Sequence, residues 1–175
     1  MQQLYSVDKI MAEARRLAVE YRRATGRPLA IGGEIAKHDA IRLLDLAAAP
    51  PDAVGYDAVG QGARAGIRYQ IKNRAIFDGK SGQRIGHIKL GADWDRVLLV
   101  LLDAEFEPFV IYEATREAIS KTYERAAESA RARRGPLSVA RFKNIAERVW
   151  GVEAGDEHLT REQKAESTSD HVPGG

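Results

Sequence analysis

The sequence predicts an α/β fold in which helices flank a central β-sheet. Apolar residues recur at helical spacing over residues 7–23 and again after residue 114, which indicates amphipathic helices toward both ends. Between them, residues 67–72 alternate apolar and polar side chains, and residues 97–102 form an unbroken apolar run of strand length. Strand patterns between helical patterns favour an α/β architecture.

The length of 175 residues suits one domain with a sizeable apolar core, which we predict to cover residues 1–151. Residues 152–175 are polar and lack periodic apolar positions, so we expect them to form a flexible tail. This tail holds six acidic and two basic residues, within a chain whose total charge is +2. The body of the protein is therefore predicted to be basic and the tail acidic.

Several classes of protein are excluded by composition. The chain has no cysteine, so disulfide frameworks, thiolate metal sites and thiol nucleophiles are ruled out. No apolar stretch approaches the roughly 20 residues that span a bilayer, and the first residues lack the order of a secretion signal. We therefore expect a cytoplasmic protein without a membrane partner.

Two helices are predicted before the first strand. The first covers residues 7–23 and is ended by Gly26 and Pro28. The second follows Gly32-Gly33 and runs to about residue 46, with Glu34 in its first turn. Both have apolar residues at positions that can pack on a sheet.

Two strands are predicted next, at residues 54–59 and 67–72, with a glycine-containing turn between them. Side chains on a strand alternate between its two faces, so Gln70 and Lys72 are expected to point the same way. If the two strands pair as a hairpin, Asp57 lies near both of these residues.

The remaining elements are three strands and two helices. We predict a short strand at 84–90, a central strand at 97–102 covered on both faces, and a strand at 108–112 joined to it through a turn. A helix from residue 114 to about 134 ends at Gly135-Pro136. A last helix, capped by Ser138, is predicted to bury residues up to Val149 and to end before Gly151.

The order of Glu34, Asp57, Gln70 and Lys72 along these elements suggests a site for phosphodiester hydrolysis. This reaction needs positive charge at the phosphate and an activated water, which a carboxylate-held Mg²⁺ and a nearby lysine supply. Mg²⁺ prefers oxygen ligands and needs only one or two carboxylates, so an amide oxygen of Gln70 is an acceptable third ligand.

These residues resemble the PD-(D/E)XK restriction-endonuclease-like nuclease superfamily, over about residues 31–113. The resemblance implies a central mixed β-sheet flanked by helices, here with an additional C-terminal helix. It also implies that Glu34, Asp57 and Gln70 bind Mg²⁺, with Mn²⁺ as a substitute, and that Lys72 positions or activates water. The wider pattern of Gly55-Tyr56-Asp57, residues 69–72 and Trp94-Asp95 is similar to an uncharacterised bacterial family with this core.

The sequence departs from this pattern at two positions. Gly55-Tyr56 stands where a proline often precedes the aspartate, and Gln70 stands where an acid is usual. The second departure removes one negative charge from the metal site.

The functional hypothesis is a metal-dependent endonuclease acting on DNA in defence, repair or recombination. The alternative is a catalytically inactive DNA-binding or scaffold protein with the same fold.

A basic stretch surrounds the third motif position. Between Gly60 and Ala92 there is a single acid, Asp78, and the predicted nucleic-acid contacts beside Lys72 are Arg64, Arg68, Arg74, Lys80, Arg84 and Lys89. The alternative is a sheet edge protected from aggregation by exposed charges. DNA is favoured over RNA as the partner, and a homodimer or a partner protein both stay compatible with the sequence.

Overall fold

A computed structural model describes residues 6–77, 83–127 and 137–153. The helices in these ranges are α1 (Val7–Thr25), α2 (Gly32–Leu43), α3 (Arg116–Ala127) and α4 (Val139–Ile145), and a 3₁₀ turn lies at Gly62–Arg64. The strands are β1 (Leu46–Ala48), β2 (Ala58–Gly60), β3 (Arg68–Ala75), β4 (Arg96–Leu102), β5 (Pro108–Thr115) and β6 (Glu147–Gly151).

The strands form one six-stranded sheet in which spatial order follows chain order. β3 and β4 are parallel, and the other neighbouring strands are antiparallel. The predicted α/β fold, with a mixed sheet flanked by helices, is confirmed. The predicted hairpin between residues 97–102 and 108–112 is also confirmed, because β4 and β5 pair antiparallel on either side of a turn.

The central strand β4 separates two apolar clusters. Leu98, Val100 and Leu102 pack with buried residues of α1 and α2 on one face of the sheet. Alternate residues of the same strand, including Leu99, pack with α3 and α4 on the other face. The apolar run at residues 97–102 is therefore a strand covered by helices on both faces, as predicted.

A buried ion pair joins α1 to α2. Arg15 Nη2 lies 2.5 Å from Asp39 Oδ2, and the Asp39 side chain is only 1% exposed. Arg15 Nε also donates to the Phe106 carbonyl, 2.9 Å away, in the turn between β4 and β5. One guanidinium thus links both helices of this layer to the sheet.

A second arginine fixes the segment that precedes β4. Arg116, at the start of α3, donates from Nη1 to the carbonyls of Ala92 at 3.0 Å and Trp94 at 2.6 Å, and from Nη2 to the carbonyl of Leu90. Its guanidinium also lies over the Trp94 ring, 4.5 Å from the centroid. Trp94 itself is fully buried. Residues 90–94 are therefore held against the sheet without regular secondary structure.

Three predicted elements differ from the structure. The second helix, expected to run to about residue 46, ends at Leu43, and Leu46–Ala48 form β1, which pairs with β2. The strand predicted from residue 54 begins only at Ala58. Residues 84–90, predicted as a strand, make only the bridge from Arg84 to Ser138 among the described residues, and Ile85 and Ile88 are buried against α3 and α4.

The C-terminal helix is shorter than predicted. Ser138 caps α4 as expected, by accepting from Arg141 N–H at 3.2 Å, but the chain is already extended at Ala146. Residues 147–151 then pair with β5 as β6. Val149 and Trp150, both favourable in strands, gain more from extending the sheet than from continuing a short helix.

Lys80, the tail beyond residue 153 and the end of the helix predicted to reach residue 134 lie outside the described residues. Within the described ranges, no helix has the length and apolar character required to cross a membrane.

Candidate active site

Asp57 lies immediately before β2, at the point where the β2–β3 ladder ends. Its backbone N–H donates to the Tyr69 carbonyl at 2.8 Å, which extends the antiparallel pairing by one residue. Its carboxylate oxygen Oδ2 accepts from the backbone N–H of Ile71, also at 2.8 Å. The carboxylate therefore accepts the Ile71 N–H in place of a backbone carbonyl, and it lies beside the segment from Gln70 to Lys72.

Gln70 is buried, with 8% of its surface exposed. Its amide group donates from Nε2 to the Gly55 carbonyl at 3.0 Å, which fixes the orientation of the amide because a carbonyl can only accept. The side-chain oxygen Oε1 then has no hydrogen-bond partner among the described residues. A buried oxygen without a partner is available to a cation or a water molecule.

Gly55 makes this arrangement possible. Its φ is +96°, a left-handed conformation that favours glycine, and a Cβ at this position would lie 2.7 Å from the Cβ of Ala92. The segment held by Arg116 therefore packs directly on Gly55, and Gly55 in turn orients Gln70. Gly55-Tyr56 departs from the nuclease pattern, but the structure gives a reason for glycine at position 55.

Lys72 is half-buried on the same strand. Burial lowers the pKa of its ammonium, attraction to Asp57 opposes that effect, and repulsion from Arg74, Lys37 and Lys89 adds to it. Gln70 pairs in register with Val97 and Lys72 with Leu99, so both face the α3–α4 layer, as their alternation predicted.

Glu34 lies in the first turn of α2, and its side chain is 75% exposed. Lys37, one helical turn later, connects it to Asp57: the ammonium nitrogen is 3.3 Å from Glu34 Oε1 and 3.2 Å from Asp57 Oδ1. Burial alone would lower the pKa of Lys37, but attraction and hydrogen bonds to the two carboxylates outweigh it and raise the pKa. A lysine thus holds the two predicted acids together.

Sequence reasoning did not identify Lys37. The available signal was its position three residues after Glu34, because side chains at this spacing share one side of a helix. Whether that side meets Asp57 depends on how α2 packs on β3, and a single sequence does not contain this information.

Four of the six predicted nucleic-acid contacts divide into two groups, while Lys80 lies outside the described residues and Arg84 forms a β-bridge with Ser138. Arg74 and Lys89 act electrostatically on Lys72, and with Lys37 and Lys72 they form what we call the basic cluster. Arg74 also donates to backbone carbonyls, including that of Arg84, and burial lowers the pKa of its guanidinium.

The second group, Arg64 and Arg68, forms ion pairs with acidic residues of the fold. Arg64 donates to Glu113 at 2.8 Å, and Glu113 also accepts from Arg96. Arg68 binds Asp95 with two side-chain hydrogen bonds of 3.0 and 3.1 Å, and these hydrogen bonds lower the pKa of Asp95. These two arginines stabilise the sheet, and their charges are largely compensated.

The donor set fits a hard divalent cation in chemical type. Asp57 Oδ1 and Glu34 Oε1 share one cationic neighbour, and Gln70 Oε1 is an unsatisfied oxygen on an adjacent strand. Such oxygens are the ligands that Mg²⁺ prefers. No group of three or more His, Asp or Glu side chains in the described part of the chain is placed to hold a metal ion, so a neutral oxygen would have to complete the set.

Comparison of the chain with models of known protein families found no match, and comparison with curated proteins found no significant match. The resemblance to nucleases therefore rests on the motif residues of the sequence alone.

Proposed function

We propose that the chain is a Mg²⁺-dependent nuclease that hydrolyses phosphodiester bonds in DNA. The observation that carries this proposal is the Asp57 carboxylate, which accepts from the Ile71 N–H and so lies between Gln70 and Lys72 on β3. In this proposal, the acid, the Gln70 amide oxygen and Lys72 form one site at the end of the β2–β3 pair.

In the proposed reaction, a water oxygen bonds to phosphorus and loses a proton to solvent, the bond from phosphorus to the sugar oxygen breaks, and the leaving oxygen takes up a proton from solvent. Asp57, Gln70 and Glu34 would hold the cation, which supplies positive charge at the phosphate and lowers the pKa of water. Lys72 donates to the attacking water or to a phosphate oxygen. The hydrogen bond from Gln70 Nε2 to the Gly55 carbonyl orients the amide so that Oε1 is left for the cation.

The basic cluster supports a phosphate-bearing substrate. Lys37, Lys72, Arg74 and Lys89 bring four positive charges close to a single region, where Asp57 and Glu34 provide two negative ones. The excess of positive charge attracts a polyanion, and partial burial of Lys72 and Arg74 strengthens their interaction with a phosphate that enters the site.

One observation favours an inactive DNA-binding protein as a second candidate. The Lys37 ammonium bridges Glu34 and Asp57, so the chain's own cation already compensates the two carboxylates. Together with Gln70 in place of an acid, this lowers the negative charge available to a metal. In that case the basic cluster would bind DNA without cleaving it.

Incubation with supercoiled, linear and branched DNA in the presence of Mg²⁺ or Mn²⁺ tests the proposal. We expect cleavage by the wild type, and we expect Lys72→Met to lose at least about 100-fold in rate, since a positioned charge at the reacting phosphate contributes on this scale. Lys121→Met is the matched control, because Lys121 pairs with Glu117 on the exposed side of α3.

The outcomes separate the candidate functions. Equal cleavage by Lys72→Met and the wild type would remove Lys72 from the mechanism. Absence of cleavage with retained, salt-sensitive DNA binding would favour the inactive protein, because phosphate contacts release counterions and weaken as salt rises. Cleavage of RNA alone would replace DNA as the substrate.

Lys37→Met is expected to tighten Mn²⁺ binding by about tenfold, corresponding to roughly 1.4 kcal/mol. The methionine keeps most of the side-chain volume but removes the ammonium that now contacts both carboxylates. Isothermal titration calorimetry of Mn²⁺ into the DNA-free protein measures this directly, with Lys121→Met as the control. Unchanged affinity would mean that Lys37 does not compete with a cation for these oxygens.

A further inference from the structure

Helix α1 contains a seven-residue repeat. Residues 10–16 (IMAEARR) and 17–23 (LAVEYRR) match in chemical type, with three apolar positions followed by acidic, apolar, basic and basic ones. One apolar series advances alternately by three and four residues: Val7, Ile10, Ala14, Leu17, Tyr21 and Ala24. Spacing of this kind defines the seam of a two-helix coiled coil, in which each apolar side chain fits between residues of a facing helix.

The seam faces away from the core. Met11 and Ala18, which lie beside it on the helix, pack against the apolar cluster between α1, α2 and the sheet. Ile10 is 52% exposed and Leu17 is 51% exposed, and Tyr21 is also exposed. α1 therefore has a second apolar stripe that no described part of the chain covers completely.

The charges on the outer side of the seam alternate in sign. Lys9, Glu13, Arg16, Glu20 and Arg23 follow one another along this flank. Arg16 and Glu13 are 3.1 Å apart, and Arg23 and Glu20 are 3.5 Å apart, so both pairs already meet along the exposed surface. When a second copy of the helix lies antiparallel beside the first in a suitable register, each acidic residue of one copy can lie opposite a basic residue of the other.

A two-fold axis beside Ala14 and Arg15 satisfies both patterns at once. In this register, Glu13 lies opposite Arg16 of the second copy. Ile10 falls between Leu17 and Tyr21 of the second copy, as knobs-into-holes packing requires. Ala14, a small residue, lies next to the axis and permits a close approach of the two helices.

We propose that the α1 seam binds a second copy of this chain as an antiparallel helix pair. This inference is independent of the proposed nuclease activity. The 19 residues of α1 extend over about 28 Å. Stable interfaces bury at least about 1,000 Å², so a pair of this length lies near the lower limit. The dimer is therefore expected to dissociate reversibly on dilution.

Sedimentation equilibrium of the full chain over a range of concentrations provides the first test. We expect a monomer–dimer equilibrium in the wild type and at least tenfold weaker association in Leu17→Gln, a substitution at a half-exposed position that leaves the core unchanged. Val54→Gln, also at an exposed apolar position but distant in sequence, is the matched control. A monomeric wild type, or equal weakening by both substitutions, would overturn the proposal.

Cysteine cross-linking provides the second test, because the chain contains no native cysteine. Under mild oxidation, Ala14→Cys is expected to form disulfide-linked dimers, since the axis brings this position close to its equivalent. Ala12→Cys, at an exposed position on another side of the same helix, is expected to remain largely monomeric. Cross-linking of the two variants at the same rate would show that the seam is not the interface.

Discussion

Arg15→Met is expected to lower the free energy of unfolding by about 3 kcal/mol or more, because it leaves the Asp39 carboxylate buried without its main partner. Methionine retains the packing of the aliphatic part of the side chain, so the loss reports on the charge. Among the described residues, Asp39 then keeps an ion pair with Arg42, whose Nη2 is 3.8 Å from Asp39 Oδ1. Urea denaturation measures the change as a shift of the midpoint.

The control is the neighbouring residue on the same helix. Arg16 pairs with Glu13 in the exposed part of α1, and Arg16→Met is expected to change stability by less than about 0.5 kcal/mol. Addition of Asp39→Asn to Arg15→Met should recover part of the loss, because the buried group is then neutral. If Arg15→Met and Arg16→Met had equal effects, the ion pair would not be a principal contact between α1 and α2.

Asp57→Asn is expected to reduce DNA cleavage at least about 100-fold while the fold is retained. The amide oxygen of asparagine can still accept from the Ile71 N–H, so the end of the β2–β3 pair keeps its hydrogen bond. What is lost is the negative charge that would hold the metal, and a bound metal contributes several kcal/mol of charge stabilisation to such reactions. Single-turnover cleavage of plasmid DNA measures the effect.

Asp52→Asn is the matched control for this substitution, because Asp52 is exposed in the turn before Gly55. Circular dichroism and the unfolding midpoint should be unchanged in both variants. Mn²⁺ affinity should fall only in Asp57→Asn. Cleavage by Asp57→Asn at the wild-type rate would exclude this carboxylate from the reaction, even if the chain proved to be a nuclease.

Much of the fold could be predicted because local patterns and tertiary structure agree. The apolar run at residues 97–102 required a strand covered on both faces, and β4 has that position. Alternation placed Gln70 and Lys72 on one face because the side-chain period of a strand is fixed by geometry. The position of Asp57 near them followed from antiparallel pairing of β2 with β3.

The remaining features depend on contacts between distant segments. Lys37 meets Asp57 only because of how α2 lies on β3, and Arg116 binds residues 90–94 only because α3 begins next to them. Arg64 has the same charge as Lys89 in the sequence, but Glu113 lies within its reach. The helix predicted to include Val149 ended early because β5 offered an unpaired edge to residues 147–151.

The parallel pairing of β3 with β4 has a consequence for the order of folding. The turn between β4 and β5 is short, whereas about 20 residues connect β3 to β4, and closing a loop of this length costs about 2–3 kcal/mol of chain entropy. The β4–β5 hairpin should therefore form early and β3 should join it late. Because Gln70 and Lys72 are on β3, the candidate active site should form late in folding, after most of the chain has already been ordered.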